Sequence, residues 1–200
     1  MQRTKRMVRG AVWLGISLWA TAASADEFRP VSIQSQASNV QPMTGLVLWS
    51  TNEDAATAPI QLEFSYLSYN QIVTDRGSYD WDPLEKLLEE ISGRKHQAIL
   101  RWHDTYVGKP TGIPDYIKSL PDYAETKAKS ENKQTSFPDW SHPEAKRFLL
   151  EFFSEFARRY DRDPRIAFVQ VGFGLWSEYH IYDGPMILGK TFPDENYQGQ

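Results

Sequence analysis

Two helix starts, each followed by a short apolar run, confine this chain to a small set of folds. Asp82-Pro83-Leu84-Glu85 places a capping residue, a proline at the first helical position and a glutamate at the third. Leu84, Leu87, Leu88 and Ile91 follow at helical spacing, and Gly93 predicts the stop. Ser141-His142-Pro143-Glu144 repeats the pattern. Phe148, Leu149, Phe152, Phe153 and Phe156 then form one apolar face, which ends before Asp161-Arg162-Asp163-Pro164. Residues 97–102 read as a short strand after the first helix. Residues 166–173 are nearly continuous apolar sequence, as expected of a strand covered on both faces. Upstream, residues 45–49 and 60–69 read as two more strands. The order strand, strand, helix, strand, helix, strand argues for right-handed βαβ units and a parallel sheet, so the expected class is α/β. Residues 104–140 form a long, proline-containing connection with a short helix expected near residues 115–120. Connections of that length are usually functional or inserted.

The first 25 residues do not belong to this pattern. Arg3, Lys5, Arg6 and Arg9 precede an apolar run over residues 11–23, and Ala23-Ser24-Ala25 is a small-x-small cleavage site. This is the layout of a secretory signal, so residues 1–25 are expected to be removed and the protein exported, to a periplasmic or extracellular location. The run is short of the roughly 20 residues of a membrane span, and no other stretch has that character. Residues 26–43 are a polar leader, and residues 44–200 form the expected domain.

Cleavage changes the charge. Of the 22 basic residues four lie in the signal, leaving 18 against 26 acidic ones, a net charge of −8. Such a surface repels phosphate backbones, which argues against a nucleic-acid partner. With no cysteine, disulfides and thiolate metal sites are excluded. Five of the seven tryptophans lie beyond the signal: Trp49, Trp81, Trp102, Trp140 and Trp176. Aromatic faces pack on the C–H surface of sugar rings while polar edges bond hydroxyls, although most buried rings simply fill a core.

Several segments carry a resemblance in their order and spacing. They are Pro42-Met43-Thr44-Gly45-Leu46, Leu62-Glu63-Phe64-Ser65-Tyr66, Tyr79-Asp80-Trp81 and Ala98-Ile99-Leu100-Arg101-Trp102. Further on come Lys109-Pro110-Thr111-Gly112-Ile113-Pro114, Tyr160-Asp161-Arg162-Asp163-Pro164-Arg165-Ile166 and Gly172-Phe173-Gly174-Leu175-Trp176-Ser177-Glu178-Tyr179-His180. Together they resemble a family of secreted bacterial proteins of unknown function with a glycoside-hydrolase-like TIM barrel. More distantly they are similar to β-galactosidase-type enzymes of the retaining clan. In the family the last motif usually has a glycine where Ser177 stands and a tryptophan where Tyr179 stands. The resemblance implies a (β/α)8 barrel. Such a barrel takes about 250 residues, and four strands are counted here, so the expectation is an N-terminal half that is inactive by itself.

The resemblance also implies a site. In the retaining clan the acid/base glutamate follows strand four, where Glu178 stands, and the nucleophile follows strand seven. Glycoside cleavage needs a protonated carboxyl beside the leaving oxygen and a second carboxylate. Trp176, Tyr179 and Phe173 around Glu178 would desolvate it and favour its neutral form. Glu178 can equally pair with Arg101 or His180 to close the barrel rim. Barrel sites lie at the C-terminal ends of strands, which adds Trp49, Arg101, His103, Asp104, Trp176 and His180 as substrate-binding candidates. One of Trp49, Trp102 and Trp176 is expected to stack on a sugar, and Glu63, within a strand, is expected to pair structurally. Glu178, His180, His103 and Asp104 match no strong metal-ligand spacing, so neither a metal nor a cofactor is expected. Two functional readings stand. One is an exported protein acting on a carbohydrate with Glu178 as general acid/base; the other is a non-catalytic carbohydrate-binding or assembly protein on the same scaffold. The sequence leaves the oligomeric state open.

Overall fold

Four parallel strands organise the described part of the chain, which in this computed structural model comprises residue 43 and residues 45–178. In chain order the elements are β1 (Val47–Trp49), β2 (Leu62–Ser68), β3 (Val73–Asp75), β4 (Ser78–Tyr79) and α1 (Asp82–Gly93). There follow β5 (Gln97–His103), α2 (Asp115–Lys118), β6 (Thr126–Ser130), β7 (Lys133–Phe137), α3 (Pro143–Tyr160) and β8 (Ile166–Gln170). The main sheet has the order β1-β2-β5-β8, parallel throughout, and β3-β4 and β6-β7 are separate antiparallel pairs. The fold is therefore mixed α/β. The expected signal segment and His180 lie outside the described residues, as does Tyr179. Among the described residues no helix is long and apolar enough to cross a membrane.

Register divides the sheet into two unlike faces. Glu63, Ser65 and Leu67 pair with Ala98, Leu100 and Trp102 on the helix side. There Leu67, Ala98, Leu100 and Trp102 pack with Leu84, Leu88 and Ile91 of α1 and Phe148, Phe152, Phe156 and Tyr160 of α3 in one core. The apolar stripe of α3 is thus buried as its 3.6-residue spacing requires. Trp102 is fully buried, its ring 4.8 Å from that of Phe152, so it is a core residue rather than a stacking platform. Glu85 ties the two helices together. It accepts from Tyr160 Oη at 2.8 Å and from Arg165 at 2.9 Å. Burial alone would raise its carboxyl, but these bonds hold it below the usual range.

Several sequence expectations need correction. Asp82 does not cap α1: it is already helical, Trp81 is the capping residue, and the Asp80 carboxylate accepts the Asp82 N–H at 3.0 Å. The stop comes from Lys95, which takes the left-handed conformation expected of Gly93. At α3 the cap is His142, whose Nδ1 accepts from the Glu144 N–H, while the Ser141 hydroxyl donates to Asp139. The first strand starts at Val47, because Gly45 has φ of 96° and bends the chain. β8 is not covered on both faces. It ends at Gln170 and forms an edge of the described sheet, with Phe168, Val169 and Val171 exposed. The long connection contains α2, as expected, and also the unexpected hairpin β6-β7. Glu63 is fully buried and is held by Arg94 at 2.5 Å and His96 at 2.7 Å, a structural pairing.

Candidate functional site

The face away from the helices carries the chemistry. Parallel strands end on one edge, and pairing aligns Trp49 with Phe64, Tyr66 with Arg101, and Arg101 with Gln170 on that face. The rings form a continuous run. Trp49 meets Phe64 edge-on at 4.9 Å and Tyr66 at 5.4 Å; Tyr66 meets His103 at 5.5 Å and Tyr106 at 6.0 Å; Tyr106 meets Trp176 at 6.0 Å. Trp49 is half exposed, so one of its faces is free to take a ligand.

Arg101 and Glu178 meet in the middle of this face. The guanidinium donates through Nη1 to Glu178 Oε1 in a short contact and to Tyr66 Oη at 3.0 Å, and through Nε to Gln170 Oε1 at 2.6 Å. It lies 5.1 Å from the Phe64 ring centre and 5.4 Å from that of Tyr66. Tyr66 in turn donates to Glu178 at 3.4 Å. Burial pushes the Tyr66 phenol up and the charge of Glu178 adds to it, against the opposing effect of Arg101, so the phenol remains a donor. The Glu178 side chain is 41% exposed and is joined to Arg101 and Tyr66 among the described residues; Tyr179, one of the aromatics expected around it, lies outside them.

Glu178 reaches this place through a strained turn. Trp176 and Ser177 have φ of 53° and 57°, a left-handed conformation unfavourable for side chains larger than glycine. Surrounding bonds hold it there. The Trp176 N–H donates to the Thr105 carbonyl at 3.0 Å, the Ser177 hydroxyl donates to the Trp102 carbonyl at 2.5 Å, and Leu175 bridges to Thr105 in parallel. The turn is therefore fixed to the end of β5.

A cleft of about 950 Å³ opens over the ends of β1, β2 and β5. Trp49, Tyr66, His103, Tyr106 and Lys109 line it, with the loop over residues 109–112. Glu178 is not in the lining and stands beside it, across Tyr66. Gly112 fixes that loop: its N–H donates to the Asp104 carbonyl at 2.6 Å, and its carbonyl accepts from Asn70 at 2.9 Å. Burial, assisted by the charge of Lys109, lowers the His103 imidazole to about 4, so it is neutral near pH 7. Its Nδ1 is buried without a hydrogen-bond partner among the described residues.

Of the expected site residues, Trp49 and His103 line the cleft, while Arg101, Trp176 and Glu178 gather beside it. Asp104 turns away from both. It is buried, and its carboxylate accepts from Thr105 Oγ1 and Trp140 Nε1, both at 2.7 Å. Burial outweighs these bonds and raises the carboxyl to about 6. Tyr66, Tyr106, Lys109 and Gln170 join the site without having been picked out. Three belong to the cleft or its wall through register and loop closure, and Gln170 through pairing with Arg101. Among the described residues no three His, Asp or Glu side chains are grouped to hold a metal ion. No known family model matches the chain, and no curated protein matches it.

Proposed function

We propose that this is an exported carbohydrate-active protein on a (β/α)-barrel-type scaffold, with Glu178 as general acid/base. The carrying observation is the meeting of Glu178, Arg101 and Tyr66 with an aromatic run beside a 950 Å³ cleft at the C-terminal edge of a parallel sheet. That edge is where barrels of this kind hold their chemistry. Trp49 offers a ring face to the C–H surface of a sugar, and neutral His103 and Tyr106 offer polar edges to hydroxyls. Glu178, partly exposed and joined to Tyr66 and Arg101, would pass a proton to a glycosidic oxygen and take one back from water. Export follows from the signal layout of residues 1–25.

One observation favours a binding role without turnover. Hydrolysis needs two carboxylates, and among the described residues no Asp or Glu lines the cleft. The test is to challenge the full chain and Glu178→Gln with a panel of oligosaccharides, following both binding and reducing-end release. Hydrolysis lost in Glu178→Gln supports catalysis. Binding that survives Glu178→Gln, with no release by either protein, supports the binding role. Failure of every saccharide to bind would remove both readings.

A further inference from the structure

Resting on that carbohydrate reading, we infer that the saccharide taken by the cleft is anionic, carrying carboxylate or sulfate groups. The observation is a charge imbalance between the cleft and the rest of the molecule. The whole chain has 26 acidic against 22 basic residues, yet among the described residues the cleft lining contains Lys109 and no carboxylate. Of the carboxylates beside the lining, Glu178 is paired with the Arg101 cation, while Glu125 accepts from the Thr111 hydroxyl and keeps its charge behind that residue. Lys109 forms no ion pair among the described residues. Its Nζ rests 4.4 Å from the centre of the Tyr106 ring, which orients the ammonium without neutralising it.

This lysine is held in place by the inserted hairpin. The Lys109 carbonyl accepts from Ser136 N–H at 3.3 Å, and the Gly108 N–H donates to Thr135 Oγ1 at 2.9 Å. Gly108 has φ of +73°, and a Cβ there would meet the Lys133 side chain at 3.0 Å, so glycine lets the hairpin close on this loop. The hairpin also exposes Lys127, Lys129 and Lys133, with Glu131 as the opposing charge. A neutral sugar offers the ammonium hydroxyl oxygens as acceptors but no opposite charge. A uronate or sulfate group supplies that charge, with its ring on Trp49 and Tyr106 and its anion on Lys109.

The test is affinity electrophoresis of the full chain, Lys109→Met and Trp49→Ala through gels holding polygalacturonate, alginate or hyaluronan. Galactan and mannan serve as neutral polymers, and polyaspartate as an anion without sugar. Methionine keeps the apolar stem on Tyr106 and removes the charge. At least one acidic polysaccharide should retard the parent more than the neutral polymers and polyaspartate do. Lys109→Met should weaken that retardation by about fivefold at low salt, the scale of one exposed ion pair, and added salt should weaken the parent likewise. Trp49→Ala should also lose retardation. Equal retardation by polyaspartate, or an unchanged Lys109→Met, would overturn the inference. Retardation by neutral polymers alone would overturn it while leaving the carbohydrate reading intact. No retardation by any polysaccharide would end both.

Discussion

Replacing Arg101 with methionine and Glu178 with glutamine, singly and together, separates a rim tie from a working carboxyl. Arg101 has a side chain only 17% exposed. Methionine would remove its bonds to Tyr66 and Gln170 and its position against the Phe64 and Tyr66 rings. Two such hydrogen bonds at about 1 kcal/mol each and a cation–π contribution of about 0.5 kcal/mol give a loss of about 2.5 kcal/mol. Glu178 is different: its side chain is 41% exposed, and glutamine keeps an oxygen acceptor for Arg101. Its replacement should cost about 0.5 kcal/mol, and the pair should couple by no more than about 1 kcal/mol. Urea unfolding followed by tryptophan fluorescence measures all three. With a slope of about 2 kcal/mol per molar urea, Arg101→Met should lower the midpoint by about 1.2 M, and Glu178→Gln by about 0.25 M. A Glu178→Gln loss as large as that of Arg101→Met would refute the reasoning and make Glu178 a structural tie. An Arg101→Met midpoint within 0.25 M or so of the parent would show that Arg101 does not pin the face.

Three further outcomes follow from the packing. Phe152→Ala, at the centre of the aromatic core, should cost about 3–5 kcal/mol, read as a urea midpoint. Asp104 has its folded carboxyl raised to about 6 from 3.8, so the folded state holds its proton longer than the unfolded one. Stability from this group is full below about pH 4 and is lost as pH rises to about 6, by about 3 kcal/mol. Lowered His103 acts oppositely, losing stability as pH falls from 6.5 towards 4. Asp104→Asn keeps an acceptor for Trp140, so it should match or exceed the parent at pH 7 and show the unopposed acid loss below pH 6.5 in denaturation midpoints. Gly112→Ala would put a Cβ 2.8 Å from the His103 carbonyl and 2.7 Å from Ser68 Cβ. It should cost about 1–3 kcal/mol in urea midpoint and weaken ligand binding measured by calorimetry, because the cleft loop must move.

The framework was legible where residue spacing alone decides it. Apolar spacing in α1 and α3, and short β-rich runs between them, specify helices covering a parallel sheet, and parallel strands necessarily end on one edge. Trp49 and His103 were therefore expected near one another. The caps were misread because Asp80 and Asp82, or Ser141 and His142, are interchangeable as local signals, and the bond made depends on chain entry. The β6-β7 hairpin was missed because its strands are polar. Its turn at Glu131-Asn132, both left-handed, was the available signal. Tyr66 beside Arg101 depends on strand register, which no local pattern gives. Asp104 follows a strand end that faces the site, yet it turns to Trp140, 36 positions away.

The clamp on the turn before Glu178 has a kinetic consequence. Ser177 bonds the Trp102 carbonyl across 75 positions of sequence, and the left-handed backbone at Trp176 and Ser177 has little reason to form before that bond does. The carboxyl thus takes its place only after a long loop has closed on a finished β5, so it should be among the last parts of the molecule to assemble. Once assembled, the turn can be released only by disturbing the edge of β5. Amide exchange of the Trp176 N–H should then be slow and follow that of the strand rather than that of a surface loop.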